Sequence, residues 1–337
     1  MITTGVRARP YPRHHRPTPR TQVDPAVVAA ILTSRDRWLL RMLLEHRVLT
    51  SHQITALAFT NHRRANRRLL ALHEHGLIDR FQRYLPAGTA PAHYVLDTTG
   101  AAVLAAEHGL DPGALGYRHD RALAVAHSLT LAHTVGVNTL LAALVQHART
   151  TNDGSRLEAW WSESRCARLW GDVVRPDAYA RWHTPTSRLE FFLEYDTGTE
   201  TLHQLASKID RYATLAATTA ITTPVLVWLP TPRRETTARA ALSAACRALN
   251  HPDRVPVATA TPTATATQER PNPADRCWLP LTAAGAVDGR VTLAALATCW
   301  PHLSQPTPTT DPAPASPAPV RHLAAPNPMP PASPQPR

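Results

Sequence analysis

Hydrophobic positions recur along this chain with two different patterns, and the change between them divides it into two blocks. Over about residues 33–110 they fall at helical spacing in three short runs, then alternate over two brief strands. Ser34 is placed to cap a helix over Arg35–His46, whose apolar stripe is Trp38, Leu39, Met42 and Leu43. Thr50 or Ser51 caps a second, short helix containing Ile54, Leu57 and Ala58, and Asn61 caps a third that Gly76 ends. Leu77–Phe81 and His93–Leu96 read as strands around a Pro86-Ala87-Gly88 turn, and Thr99-Gly100 leads into a small helix over Ala101–His108.

From about 120 to 285 the pattern alternates between the two periods. A long helix is expected over Ala122–Ala148, followed by strands at Leu157–Ser162, Val173–Trp182 and Leu189–Asp196. A helix over Glu200–Ala217, a strand at Pro224–Leu229 and a helix over Glu235–Leu249 come next. The order αβββαβ predicts an α/β domain with a mixed sheet, which strands near Val255–Thr259 and Arg276–Leu281 extend. Outside these blocks, residues 1–25 hold five arginines and five prolines and read as a flexible basic arm, either solvated or tracking DNA phosphates. Residues 301–337 hold thirteen prolines and read as a disordered Pro-rich tail.

Charge adds a partner to this outline. The formal net charge is +11, and residues 1–100 carry fifteen arginines against six acids, so most of the positive field belongs to the first block. A polyanion, double-stranded DNA above all, is the partner such a field suits. Composition also excludes. The four cysteines are scattered without a CxxC pair, which argues against zinc. No glycine loop cradles phosphate and no GxSxG elbow is present. There is no apolar run of eighteen residues and no signal-peptide core, so a cytoplasmic protein without a membrane span is expected.

Three helices followed by a two-stranded hairpin predict a winged helix-turn-helix, with the third helix entering the major groove. At 100° per residue Ala65, Leu69 and Leu72 share one stripe, and Arg63, Arg67 and Glu74 lie opposite it. Asn66 sits on one flank of the outer face; Arg64 and Arg68 sit on the other. Arg and Asn pair bidentately with guanine and adenine edges, and flanking arginines suit phosphates. Arg80 and Arg83, in the wing, are placed for the adjacent backbone or minor groove. The competing reading is an ordinary surface helix in an Arg-biased protein.

The second block carries the candidate chemistry. Hydrolysis of a phosphodiester by Mg²⁺ needs carboxylates to hold the metal and a cation near the scissile phosphate. Asp177 interrupts an otherwise apolar strand run, and Glu194 and Asp196, two apart, share a face at the end of the next strand. Lys208 is the only lysine among 36 cationic side chains and lies on the following helix, about 75° from the centre of a stripe formed by Leu202, Leu205, Ile209, Tyr212 and Ala216. The same residues allow plainer roles. Asp177 could pair with Arg175 or Arg181, Asp196 could cap the Thr197-Gly198-Thr199 turn, and Lys208 could pair with Glu200 or Asp210. Trp160-Trp161 and Trp182 read as core or as DNA-stacking aromatics.

Pro176-Asp177 and Glu194-Tyr195-Asp196 resemble the motifs of the PD-(D/E)xK nuclease superfamily, with Asp196 standing where the motif has lysine and Lys208 placed where some members carry it instead. The resemblance implies a restriction-endonuclease-like domain. If that domain is active, Asp177 and Glu194 hold Mg²⁺, Asp196 assists, and Lys208 orients water or stabilises the phosphorane. A degenerate domain kept for binding is the other outcome. Over residues 33–250 the chain is similar to the replication-relaxation family of actinobacterial plasmid and integrative-element proteins. The matching stretches are Arg37-Trp38-Leu39-Leu40, Leu69-Leu70-Ala71-Leu72, Arg175-Pro176-Asp177-Ala178 and Phe192 to Thr199. That resemblance implies work at an origin in replication or mobilisation, with relaxosome or replication proteins as partners and a homodimer among the open assemblies. The contrasting expectation is a transcriptional regulator with a non-catalytic C-terminal dimerisation domain.

Overall fold

The computed structural model describes residues 13–14, 25–83, 88–262, 272–281, 289–301, 303 and 323–332. The chain clusters into two compact units, Met1–Val135 and Gly136–Pro317, with short C-terminal stretches divided between them.

The first unit contains α1 (Pro25–Ile31), α2 (Ser34–His46), α3 (Ser51–Ala58), α4 (His62–Glu74), α5 (Thr98–Glu107) and α6 (His119–Ala124). Its strands are β1 (Arg13–His14), β2 (Leu49–Thr50), β3 (Ile78–Gln82) and β4 (Ala92–Leu96), forming an antiparallel sheet in the order β1-β3-β4-β2. Two capping boxes fix the helix starts. Thr33, one residue before the expected Ser34, caps α2: its hydroxyl accepts the Asp36 N–H at 3.3 Å, and the Asp36 carboxylate accepts the Thr33 N–H at 2.8 Å. Thr50 and Gln53 do the same for α3, and Asn61 caps α4 through the Arg64 N–H at 2.9 Å. Gly76 follows α4 with φ +69°, the left-handed conformation that a glycine takes without a Cβ penalty. Ala65, Leu69 and Leu72 face inward as their spacing requires. Residues 84–87 of the expected turn between β3 and β4 lie outside the described residues, as does the arm 1–25 apart from β1 and the start of α1.

α7 (Leu131–Thr151) begins in the first unit and runs into the second. The single helix expected over Ala122–Ala148 is broken. α6 ends at Ala124, a 3₁₀ turn covers Val125–His127, and α7 starts only at Leu131. The cause is local: the Ser128 hydroxyl accepts the Thr130 N–H at 3.2 Å, a side-chain bond that competes with the helical ladder.

The second unit holds β5 (Arg156–Ser162), α8 (Glu163–Trp170), β6 (Ala178–Thr184), β7 (Ser187–Tyr195), α9 (Leu202–Thr219), β8 (Val225–Trp228), α10 (Pro232–Ala248), β9 (Val257–Ala260), β10 (Trp278–Pro280) and α11 (Leu293–Cys299). Its six-stranded sheet runs β10-β9-β8-β7-β6-β5. β5, β6 and β7 form an antiparallel meander, whereas β7, β8 and β9 are parallel, so α9 and α10 serve as the crossovers that parallel neighbours need. One expectation fails here. The strand predicted from Val173 begins at Ala178, and α8 separates it from β5. Ser162 caps α8, and the N–H groups of Val173 and Val174 both bond Trp170 O at 2.8 Å, so these two valines belong to the turn that ends the helix. The second unit also extends past residue 285, because α11 packs on β7.

Part of the Pro-rich tail is ordered by packing. Pro326 and Pro328 are buried, and the Met329 N–H donates to Asn327 Oδ1 at 2.9 Å. Proline suits such a segment because it buries ring surface without an N–H that needs a partner. Among the described residues, no single helix is long and apolar enough to cross a membrane.

Candidate functional site

In the first unit, α4 presents Arg63, Arg64, Asn66 and Arg67 to solvent along its outer face. Arg68 behaves differently. Its guanidinium grips the buried Asp36 carboxylate bidentately, Nε to Oδ1 at 2.8 Å and Nη2 to Oδ2 at 2.5 Å, so it ties α4 to the start of α2. Burial would raise the Asp36 carboxyl, but Arg68 and Thr33 outweigh it and hold it below the usual range. In the sheet, Arg80 is half-buried and its charge lies close to the Tyr94 hydroxyl, while Arg83 is exposed. The outer face of α4 that stays open therefore comprises Arg63, Arg64, Asn66, Arg67 and Glu74, with Leu70 among them, and Arg83 is separately exposed just after β3.

In the second unit, Asp177, Glu194 and Asp196 gather where the parallel strands β7 and β8 end. Asp177 immediately precedes β6, and the Tyr195 N–H donates to its Oδ2 at 2.7 Å; Arg175 and Arg181, its expected partners, bond Gly171 O and Glu190 instead. Glu194 is 2 % exposed. Its two oxygens are both engaged, Oε2 by Lys208 Nζ at 2.8 Å and Oε1 by the Tyr212 hydroxyl at 2.5 Å. Lys208 also reaches Glu200 Oε2 at 3.1 Å, which matches the plainer of its two expected roles. Burial, then the Asp177 charge, pushes the Glu194 carboxyl up to about 7 against the pull of Lys208 and Tyr212. For Lys208, burial opposes the ammonium, but Glu194, Asp177 and Glu200 together hold its pKa above the ordinary value. Burial and the same carboxylate push the Tyr212 phenol well above its usual range.

Asp196 turns to the neighbouring crossover helix. Its Oδ1 accepts the Gly198 N–H at 2.6 Å, the turn-capping role, and its Oδ2 takes Arg234 Nε at 2.6 Å. Arg234 also donates to Glu200 O at 2.5 Å, which joins the start of α10 to the loop before α9. Between Glu194 and Asp196, the Tyr195 ring follows strand alternation to the other face and lies against Gly136 of α7, where an added Cβ would stand 2.4 Å from the ring.

Sequence reasoning missed Tyr212 and Arg234 as parts of this cluster, and offered Glu200 only as one of two partners for Lys208. Tyr212 left a signal, because it follows Lys208 by four residues and so shares its helix face. Arg234 left none, since its contacts depend on how α9 and α10 close on the sheet. Among the described residues, no group of three or more His, Cys, Asp or Glu is arranged to hold a metal ion, and the four cysteines are buried and unbridged.

No curated protein and no solved structure matches the chain. The replication-relaxation family matches it over residues 40–226, a stretch that runs from within α2 into β8 and takes in α4 and the carboxylates Asp177, Glu194 and Asp196. With more than half of its length so matched, the chain belongs to the replication-relaxation family.

Proposed function

We propose that this protein binds double-stranded DNA at the origin of a plasmid or integrative element, through a winged helix-turn-helix whose reading helix is α4, and acts there in replication or relaxation. The observation that carries this reading is the exposed row Arg63, Arg64, Asn66 and Arg67 on a capped, well-packed helix that is followed by the β3–β4 pair, with Arg83 exposed just after β3. Cationic side chains crowded on one helix face repel each other until a polyanion neutralises them. The family membership supports replication over transcription as the process served. A gel shift with duplex from the element's own origin region tests it: Arg63→Ala/Arg67→Ala weakens binding and flattens its salt dependence. Unchanged affinity and salt slope would remove α4 from the interface.

In this reading the second unit is a nuclease-like scaffold that binds and does not cut. The αβββαβ order, with α8 inserted, and the placement of Asp177 and Glu194 beside one another support the nuclease-like ancestry. The donor set speaks against Mg²⁺. A hard cation needs carboxylate oxygens turned towards it, whereas both oxygens of Glu194 and both of Asp196 hold side chains or backbone of this chain. Incubating supercoiled plasmid with Mg²⁺ and protein is expected to leave it closed. Nicking that Asp177→Ala abolishes would overturn the scaffold reading while leaving the α4 reading intact.

A further inference from the structure

A second concavity lies at the opposite end of β7 from the carboxylates. It encloses about 990 Å³ between the beginnings of β7 and β8, the end of α9 and the segment after α11. Its wall is aromatic: Trp161, Trp170, Tyr179 and Trp300 line it. Trp161 stacks on Trp170 with centroids 5.8 Å apart and planes 26° apart, and lies 4.5 Å from Tyr179. The Trp160-Trp161 pair thus divides its labour, since Trp160 is fully buried while Trp161 and Trp170 stay partly open to solvent. Leu169, 39 % exposed, adds an apolar rim. Two cations stand at the lining. Arg254 is exposed, and Arg188 keeps Nε 3.2 Å from Glu158.

We propose that this aromatic cavity receives an unstacked nucleobase of single-stranded DNA, with Arg254 meeting the adjoining phosphate. The inference rests on the reading above only in taking DNA as the substrate. An aromatic wall offers a π-face to any base, so it holds a strand without reading its sequence, and a nearby guanidinium supplies the backbone contact. The space exceeds what one nucleotide needs, and relaxation of a duplex exposes such strands. A proline-rich peptide, which also docks in aromatic-lined grooves, is the rival occupant. The guanidinium beside the wall favours the nucleotide, because a strand brings a phosphate for it to meet and a polyproline segment brings none.

The test is a fluorescence titration of the full chain with a twelve-residue oligo(dT), using the tryptophans as reporters. Saturable quenching is expected, weakened roughly tenfold in Trp170→Ala and several-fold in Arg254→Glu. Because Trp170 also packs on Phe192, Arg254→Glu is the variant that decides. Duplex binding through α4 stays unchanged in both, and oligo(dT) binding persists in Arg63→Ala/Arg67→Ala, so each reading can fail without the other. Oligo(dT) affinity unaffected by Arg254→Glu would overturn the proposal. So would dTMP binding as tightly as the oligonucleotide, or quenching by a synthetic peptide of residues 306–319 with none by oligo(dT).

Discussion

Lys208 Nζ lies 2.8 Å from Glu194 Oε2, and the pair closes one side of a carboxylate that Tyr212 closes on the other. The single lysine of an arginine-rich chain therefore neutralises a buried acid at the join of β7 and α9. An ammonium suits this place because it reaches two carboxylates, Glu194 and Glu200, from one point, where a planar guanidinium would need more room.

Removing that ammonium leaves Glu194 buried without its counter-charge. Lys208→Met is expected to lower the stability of the second unit by about 3 kcal/mol, the usual scale for a broken buried pair. The sign of its pH dependence follows from Glu194, whose folded pKa is already raised to about 7. A raised carboxyl contributes stability at low pH that is lost as pH rises through the folded value. Loss of Lys208 raises that value further, so the deficit is larger at pH 8 than at pH 6. Urea unfolding at both pH values checks this, with Glu194→Gln/Lys208→Met expected to recover most of the loss. An equal deficit at the two pH values would contradict the argument.

The first unit responds to pH in the opposite sense. His93 on β4 is buried against Phe81, and burial, then the Arg83 charge, depresses its pKa from 6.5 to about 4. Below pH 6.5 the unfolded chain takes up a proton that the folded one refuses, so stability falls as pH drops from 6.5 towards 4. The loss reaches up to about 3 kcal/mol for a shift of this size. Unfolding followed at pH 7.5 and pH 5 should show the first unit weakened at the lower pH. His93→Phe should largely abolish that difference, and if the difference persists in the variant another group is responsible.

How much of this could be read from the sequence depends on the range of the interaction. The caps at Thr50 and Asn61, the glycine after α4 and the inward stripe of Ala65, Leu69 and Leu72 are local signals, and each is where its spacing placed it. α8 was hidden because Val173 and Val174 look like strand residues, although their N–H groups close the helix end at Trp170. Ser128 and Thr130 hid a helix break, because apolar periodicity carries no record of hydroxyls that compete for the backbone. The carboxylates were legible as a group but their partners were not. Arg234 meets Asp196 across 38 residues, a pairing decided by how α10 crosses back over the sheet.

Arginines that look alike on α4 separate into two kinds. Arg68→Ala strands the buried Asp36 carboxylate and should destabilise the first unit by about 2 kcal/mol, less than a fully buried pair because the guanidinium is partly solvated. Arg63→Ala and Arg67→Ala, both at exposed positions, should change stability by less than about 0.5 kcal/mol. Thermal unfolding of the three variants beside duplex gel shifts distinguishes structure from contact. If Arg68→Ala unfolds like the wild type, the Asp36 pair does not hold α4 to α2.

Gly136 and Tyr195 make a close helix-to-ring packing contact in the second unit. A Cβ at residue 136 would stand 2.4 Å from the Tyr195 ring, well inside van der Waals contact, and the ring is the part that must give way. Tyr195 cannot move alone, since its N–H holds Asp177 at 2.7 Å and its neighbours Glu194 and Asp196 are bonded on the opposite face. Gly136→Ala should therefore cost about 1–3 kcal/mol as an overpacked core substitution, despite alanine's better helix propensity, which alone would stabilise α7 by roughly 1 kcal/mol. Shortening the partner separates the two effects: in Gly136→Ala/Tyr195→Leu the clash is relieved, and the double variant should be more stable than Gly136→Ala alone. Thermal unfolding reads both, and a single variant at least as stable as wild type would mean that the ring does not rest on the glycine.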